Sequence, residues 1–415
     1  MANRYLCSTA VGEQAAFDLE LAVASVNRGR CIFRGKSAPF HSHIPQRSRN
    51  QIDKMEVDVE DRKQSRVVVI GAGIVGASLA YHLAGKGADV TLVDAGDIAC
   101  GVTGTSFAWI NVSHSGFDPI AQLRGLVINE FRRLDMELPD LNVRWTGALT
   151  YGTNLDETLQ RAGNTTAEHL VSRPQIVDIE PNLKHPPEQA LYETQAGALD
   201  AVRATHTLIA GAKAHGANVL THTRVLGFRM LNTRVAGLET TAGIIDADIV
   251  VIAAGIGTKK LTDMLNVSLP IEESPAIFIR YKAPANLVQT IISSPAMEVR
   301  QEQDGTLLAA EDYLGDALDN QAEAIALRTA QAIRDELHGA DSIEPELACV
   351  GLRPFPADGI PIVGYLPTVS GIYVCTMHPG VILAPIVGRL ASEEIMDATV
   401  APALGPCRPD RFIQP

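Results

Sequence analysis

The sequence predicts an α/β fold: a discontinuous, Rossmann-like nucleotide-binding domain interrupted by an inserted antiparallel-sheet α+β domain. Three observations predict it. Arg66 to Gly96, RVVVIGAGIVGASLAYHLAGKGADVTLVDAG, reads as strand, glycine turn, helix and second strand. A second buried apolar strand is expected at Asp248–Gly257, DIVVIAAGIG, and Ile372–Thr376 reads as a further strand. Between them, segments 275–284, 296–301 and 305–311 alternate polar and apolar residues as antiparallel strands do.

The first unit is the most specific. Val67–Ile70 is a fully apolar, β-branched run, and Gly71, Gly73 and Gly76 then supply G-x-G-x-x-G. The first glycine permits the tight turn, the second admits a pyrophosphate, and the third lets helix and strand pack closely. The helix N-terminus at Ile74 and Val75 offers N–H groups and a positive dipole end to phosphates. Asp94 closes the second strand, where an acid accepts hydrogen bonds from ribose hydroxyls. Alone the glycine motif is weak evidence. Between two strands and followed by the acid, it specifies a dinucleotide site.

Composition narrows the class. The 415 residues are 46 % hydrophobic and 20 % charged, enough for two or three domains with substantial cores. A net charge of −13 argues against a nucleic-acid partner or an anionic membrane surface. No apolar run approaches the roughly 20 residues of a transmembrane helix. The six cysteines are scattered without a C-x-x-C pair, so neither a metal site nor a disulfide framework is expected, and a reducing compartment suits them. Residues 1–65 differ from the rest: segment 21–50 has no acid but carries Arg28, Arg30, Arg34, Lys36, Arg47 and Arg49. We read 1–65 as a disordered leader or the product of a start upstream of Met55, and the location as cytoplasmic. A transit peptide directing the chain to an organelle is the alternative.

The remaining elements come in chain order. A Gly/Thr/Ser loop, CGVTGTSFAWINVSH, comes after Asp94. The spacing of Ile120, Leu123, Val127, Phe131 and Leu134 predicts one helix over 118–138. Arg144–Gly152 reads as a strand and the proline-rich 174–190 as a loop. A helix over 203–216, ending at His215-Gly216, precedes strands at Val219–Phe228 and Arg234–Thr240. Segment 318–338 has helical periodicity, and a final helix succeeds Ile372–Thr376. We expect 66–145, 196–265 and 345–400 to form the nucleotide-binding domain, 146–195 and 266–344 the insert, and 401–415 a tail.

The two ends together resemble the flavoprotein family of D-amino-acid oxidase, glycine oxidase and sarcosine oxidase. The resemblance runs from Arg66 to about Ile395 and rests on the glycine fingerprint, DIVVIAAG, and the C-terminal GLRPFPADGIPIVG and GIYVCTMHPGVILAP. It implies an FAD-binding domain, with FAD extended from Asp94 across Gly71–Gly76. Thr103, Thr105 and Ser106 would bond the pyrophosphate and ribityl chain, and Ala108 and Trp109 would lie near the flavin ring. Val225 would flank adenine, Ala254 and Gly255 would pass under the dinucleotide, and Met377, His378, Gly380, Val381 and Ile382 would meet the pyrimidine edge. Pro379 departs from the family pattern, because proline cannot donate an N–H there.

The resemblance also implies an amine oxidoreductase that removes hydride to flavin N5, after which the imine hydrolyses. Arg353, in Gly-Leu-Arg-Pro, matches the arginine that grips the substrate carboxylate, a task suited to a bidentate guanidinium. Arg300 is a second candidate. His378 could contact flavin or substrate or serve as a base, Tyr313 could offer a hydroxyl, and Trp109 could wall the site. His114 we read as an ordinary loop histidine. The expected partners are an amino-acid-like small molecule, oxygen or an electron-transfer acceptor, and a second copy of the chain in a homo-oligomer. The alternatives are a 2-hydroxy-acid dehydrogenase on the same fold and a flavin-binding subunit of an electron-transfer complex.

Overall fold

The computed structural model describes residues 65–111, 118–152 and 167–413. The leader ahead of Ser65, and His114, lie outside them. A six-stranded sheet runs in the order Ile362–Tyr365, Ile372–Thr376, Ile249–Ile252, Arg66–Ile70, Asp89–Val93, Asn218–Leu220. All its pairings are parallel except the first. Val67, Val68 and Val69 are at most 1 % exposed, which accounts for a strand with no polar face. One face packs on helices Ile74–Gly85, Ala201–Ala214 and Gly380–Asp397 through Leu79, Leu83, Leu208 and Leu383. The other packs on a three-stranded antiparallel sheet, 225–246, through Val225, Val235 and Leu238.

The second large sheet has eight strands, in the order Glu344–Pro356, Ile271–Lys282, Leu307–Asp312, Glu298–Gln301, Ile291–Ser293, Ala148–Thr150, Gln189–Glu193, Glu168–Ser172. Residues directly opposite in an antiparallel pair share a face. Ile277, Ile279 and Tyr281, with Leu307 and Ala309 across from them, pack against Ile325, Ala326 and Ile333 of helix Ala322–Glu336. Ser274, Ala276 and Phe278 point the other way, with Arg353, Gly351 and Cys349 opposite them. That second face turns toward the Val102–Thr105 turn: a Cβ on Gly351 would lie 2.4 Å from Thr105 Oγ1.

Several elements differ from expectation, each for a local reason. The helix over 118–138 is two, Ala121–Arg124 and Val127–Glu137, parted at Gly125; the five periodic residues are all buried. The expected loop 174–190 begins as helix Arg173–Ile179, because Ser172 and Gln175 form a reciprocal capping box and Pro174 fits a first turn. The strand expected over Val219–Phe228 divides between two sheets, Asn218–Leu220 in the parallel one and Val225–Leu231 in the three-stranded one. Only Ala148–Thr150 of Arg144–Gly152 is a regular strand. The helix expected over 318–338 starts at Ala322, after a 3₁₀ turn. Glu344–Pro356, expected among the nucleotide-binding segments, pairs along its length with Ile271–Lys282 in the eight-stranded sheet. Cross-strand register assigns it there, and its local sequence carries no mark of the sheet it joins.

Candidate functional site

The glycine turn is shaped by close contacts. Gly71 has φ +110°, its N–H donates to Val93 O at 2.8 Å, and a Cβ there would sit 2.4 Å from Ala253 O. A Cβ on Gly76 would lie 1.8 Å from Gly71 O. Both positions exclude any side chain. Gly73 differs: its Cβ would meet only Thr103 Oγ1, at 3.1 Å. Ile74 N–H donates to that same hydroxyl at 3.1 Å, and the first intrahelical bond is Ala77 N–H to Gly73 O. The N–H groups ahead of Ala77, Val75 among them, thus lie outside the helix ladder, and no acid occupies the first turn. An anion site requires this arrangement.

Asp94 ties the glycine turn to the end of the second strand. Its Oδ2 accepts from Ala72 N–H at 2.6 Å and its Oδ1 from Gly96 N–H at 2.8 Å, leaving lone pairs on a half-buried carboxylate for hydroxyl donors. Thr223 N–H donates to Asp94 O at 2.7 Å, which brings nearly buried Val225 to the same end. Ala254 packs beneath the turn, its Cα 3.0 Å from where a Gly71 Cβ would be. Gly255, at φ +57°, faces open space.

The loop after Cys100 spends some of its hydroxyls internally. Thr105 Oγ1 donates to Val102 O at 3.3 Å, and Ser106 Oγ accepts from Ala108 N–H at 3.2 Å. Ala108 holds φ +54°, uncommon for a residue with a Cβ. Trp109 pairs with Ala198, and its buried Nε1 has no acceptor among the described residues.

At the opposite end, helix Gly380–Asp397 starts directly after buried Met377 and half-buried His378. Pro379 is its N-cap, so its missing N–H removes none of the first-turn donors of Gly380, Val381 and Ile382. A Cβ on Gly380 would lie 3.9 Å from Val75 Cγ2, and one on Gly388 would collide with Ser78 Oγ at 2.2 Å. The two helices therefore run in close contact, and their N-termini meet near Val75 and Gly380.

Arg353 faces this end from the eight-stranded sheet. Its Nε donates to Ser274 O at 3.1 Å, and its Nη2 to Ser274 Oγ at 2.8 Å and Pro275 O at 3.2 Å. Those bonds fix the guanidinium plane and leave Nη1 unengaged among the described residues. Phe355 shares the face two residues on, and its ring lies 5.5 Å from that of His378. Burial, then the Arg353 and Arg124 charges, push the His378 imidazole down to about 3. It is neutral at ordinary pH and a poor base. Arg124 is itself held by Asp118, Nε to Oδ2 at 2.8 Å.

Two candidates stand elsewhere. Arg300 is 3 % exposed and engaged by Phe107 O, Leu199 O and Glu302, so it braces the Phe107–Trp109 loop. Tyr313 packs toward the helix 322–336 side, on the sheet face opposite Arg353, with its hydroxyl bonded to Asp316. Sequence reasoning missed Ser274, Arg124 and Phe355. Phe355 was findable, since alternate strand residues share a face; Ser274 reaches Arg353 only through register across 79 positions.

The turn geometry accepts a dinucleotide: a helix start with no acid in its first turn, a Gly73 that leaves room, and an acid with spare lone pairs. Comparison with known proteins identifies which one. Residues 66–394 match the family model "DAO: FAD dependent oxidoreductase". The chain is 28 % identical over 353 residues to a glycine oxidase of Pseudomonas aeruginosa, covering 79 % of this chain and 94 % of that protein. It is 26 % identical over 396 residues to a D-amino acid dehydrogenase of Cereibacter sphaeroides, covering 75 % and 87 %. The solved glycine oxidase of Geobacillus kaustophilus superposes with a TM-score of 0.75 at 20 % identity, covering 85 % of this chain and all of that one. Among the described residues no helix is long and apolar enough to cross a membrane. The chain belongs to the DAO family of FAD-dependent oxidoreductases.

Proposed function

We propose that the protein oxidises the C–N bond of a small amino acid or N-substituted amino acid. The observation that carries this reading is Arg353: an arginine oriented by three acceptors on one strand, its Nη1 unengaged among the described residues, beside Phe355 and His378. A guanidinium held in this way binds a carboxylate without first losing side-chain freedom. Bound FAD would supply the two-electron acceptor for the α-hydrogen and its C–H electron pair. The nitrogen lone pair then forms the C=N bond, and water converts the iminium to a 2-oxo acid and an amine.

The chain's residues orient and exclude. Gly71–Gly76, Ile74 and Val75 receive the pyrophosphate, Asp94 the ribose, and Thr103 and Ser106 line the path between. Val225 flanks the adenine. The first-turn N–H groups of Val381 and Ile382 would oppose negative charge on the pyrimidine edge of a bound flavin. His378 stays neutral and forms a wall with Phe355; the amine loses its proton to water before binding, and a protein base is unnecessary. Electrons leave to oxygen or another acceptor, and the relatives named oxidase and dehydrogenase allow either.

An anaerobic screen tests the reading: D- and L-amino acids, N-methyl amino acids and 2-hydroxy acids are mixed with the yellow protein and flavin bleaching is monitored. Bleaching by an amino acid is expected. Reduction by hydroxy acids alone would reassign the substrate. No reduction, together with a co-purifying subunit, would favour an electron-transfer role.

A further inference from the structure

Residues Ala401–Phe412 form two 3₁₀ turns beyond the stretch that matches the family model. They are tightly fastened. Arg408 bonds both oxygens of Glu394, which also accepts from Ala401 N–H at 3.0 Å and from the Tyr373 hydroxyl at 2.7 Å. Pro409 lies against Gly364, where a Cβ would be 3.0 Å from its Cδ. From this anchor Arg411 reaches the turn that succeeds Arg353 and Phe355. Its Nε donates to Asp358 Oδ2 at 2.8 Å, and its Nη2 to Asp358 Oδ1 at 3.2 Å and Ile360 O at 2.7 Å. Asp358 Oδ1 also accepts Ile360 N–H at 3.0 Å. Gly359, inside the clamped turn, lies against the Phe355 ring: its Cβ would be 3.9 Å from Phe355 Cε1. The Phe355 ring in turn rests on His378. The 402–407 turn touches helix Ala121–Arg124 as well, and that helix brings the Arg124 charge to His378 from the other side.

We propose that this C-terminal strap sets the substrate wall, with Arg411 as a positioning residue acting through the Asp358–Ile360 turn on Phe355 and His378. The proposal rests on the reading of Arg353, Phe355 and His378 as the carboxylate-binding wall. Arg411 touches neither the glycine turn nor the helix N-terminus at Gly380, so its work is separable from cofactor retention. Its pair with Asp358 is partly exposed, and its loss leaves the Arg408–Glu394 anchor in place.

Arg411→Ala, Arg411→Lys and Asp358→Asn are made in the full-length holoprotein, with hydrogen exchange and amino-acid kinetics measured on each. Arg411→Ala should raise exchange in segments 355–360 and 377–380 while flavin content stays at the wild-type level. KM should rise about 3- to 10-fold with kcat changed less than about 2-fold. Arg411→Lys should recover part of the KM, and Arg411→Ala combined with Asp358→Asn should cost no more than Arg411→Ala alone. Unchanged exchange in both segments, or additive losses in the double variant, would overturn the strap. Changed exchange in a protein that no amino acid reduces would leave the strap standing and remove the substrate reading instead.

Discussion

The glycine turn and the Arg353–His378 end are specified in different ways. At the turn, sterics within a few neighbouring residues decide the sequence: Gly71 and Gly76 have no room for a Cβ, and Asp94 receives Ala72 N–H directly. At the other end, Arg353, Phe355 and Ser274 come from two strands of one sheet, His378 from the turn ahead of helix Gly380–Asp397 and Arg124 from helix Ala121–Arg124, and no single stretch contains their geometry. A local device tolerates almost no substitution but announces itself. A composite one is built from replaceable parts, which is where relatives of one fold can diverge in substrate.

Substitutions can break that contrast. Gly76→Ala should have the largest effect, weakening FAD retention about 100-fold or more, because the new methyl would overlap Gly71 O. Visible absorbance of the purified protein reads it directly, and full retention would remove the steric argument. Arg353→Ala should leave flavin content intact and lower kcat/KM by about 100-fold, mostly through KM, since charge-assisted bonds to a carboxylate are lost. An Arg353→Ala protein as active as wild type would place the carboxylate elsewhere.

Acid stability compares the two ends in one experiment. His82, in the glycine-turn helix, and His378 are both lowered from 6.5 to about 3, His82 by burial and then by the charges of Arg133, Arg389 and Lys86. Between those values the unfolded chain binds protons that the folded chain does not, so stability falls as pH drops from 6.5 toward 3. Replacing either histidine with glutamine should lessen that pH slope by about one proton in urea-unfolding measurements. An unchanged slope in His378→Gln would mean that this imidazole already titrates normally. The smallest effect belongs to Tyr313→Phe. Facing away from Arg353, it should alter kcat and KM by less than about 2-fold, and a larger change would put the hydroxyl in the site after all.

Legibility in the sequence divides along the same line. The strands Arg66–Ile70, Ile249–Ile252 and Ile372–Thr376 were readable because they are buried along nearly their whole length, and helix Ala201–Ala214 because Ala204, Leu208 and Ala212 repeat one buried face at helical spacing. Helix Arg173–Ile179 was hidden behind its prolines, although Ser172 and Gln175 carried a readable cap. Arg300 is buried because backbone carbonyls of Phe107 and Leu199 accept hydrogen bonds from its guanidinium, and those partners, 193 and 101 positions away, are not visible in its local sequence. The sheet membership of Glu344–Pro356 depends on register with a strand far away in sequence, and composition does not encode that.

The parallel sheet has a further consequence, for assembly. Ile249–Ile252 must pair with Ile372–Thr376, and the whole run from Ala253 to Gly371 comes between them. Loop closure on that scale is slow, and contacts so distant in sequence form late. The glycine turn lies ahead of that loop, and the helix at Gly380 that stands beside it comes after the loop. The dinucleotide site is thus completed only when that loop has closed, and cofactor capture becomes a closing step of folding.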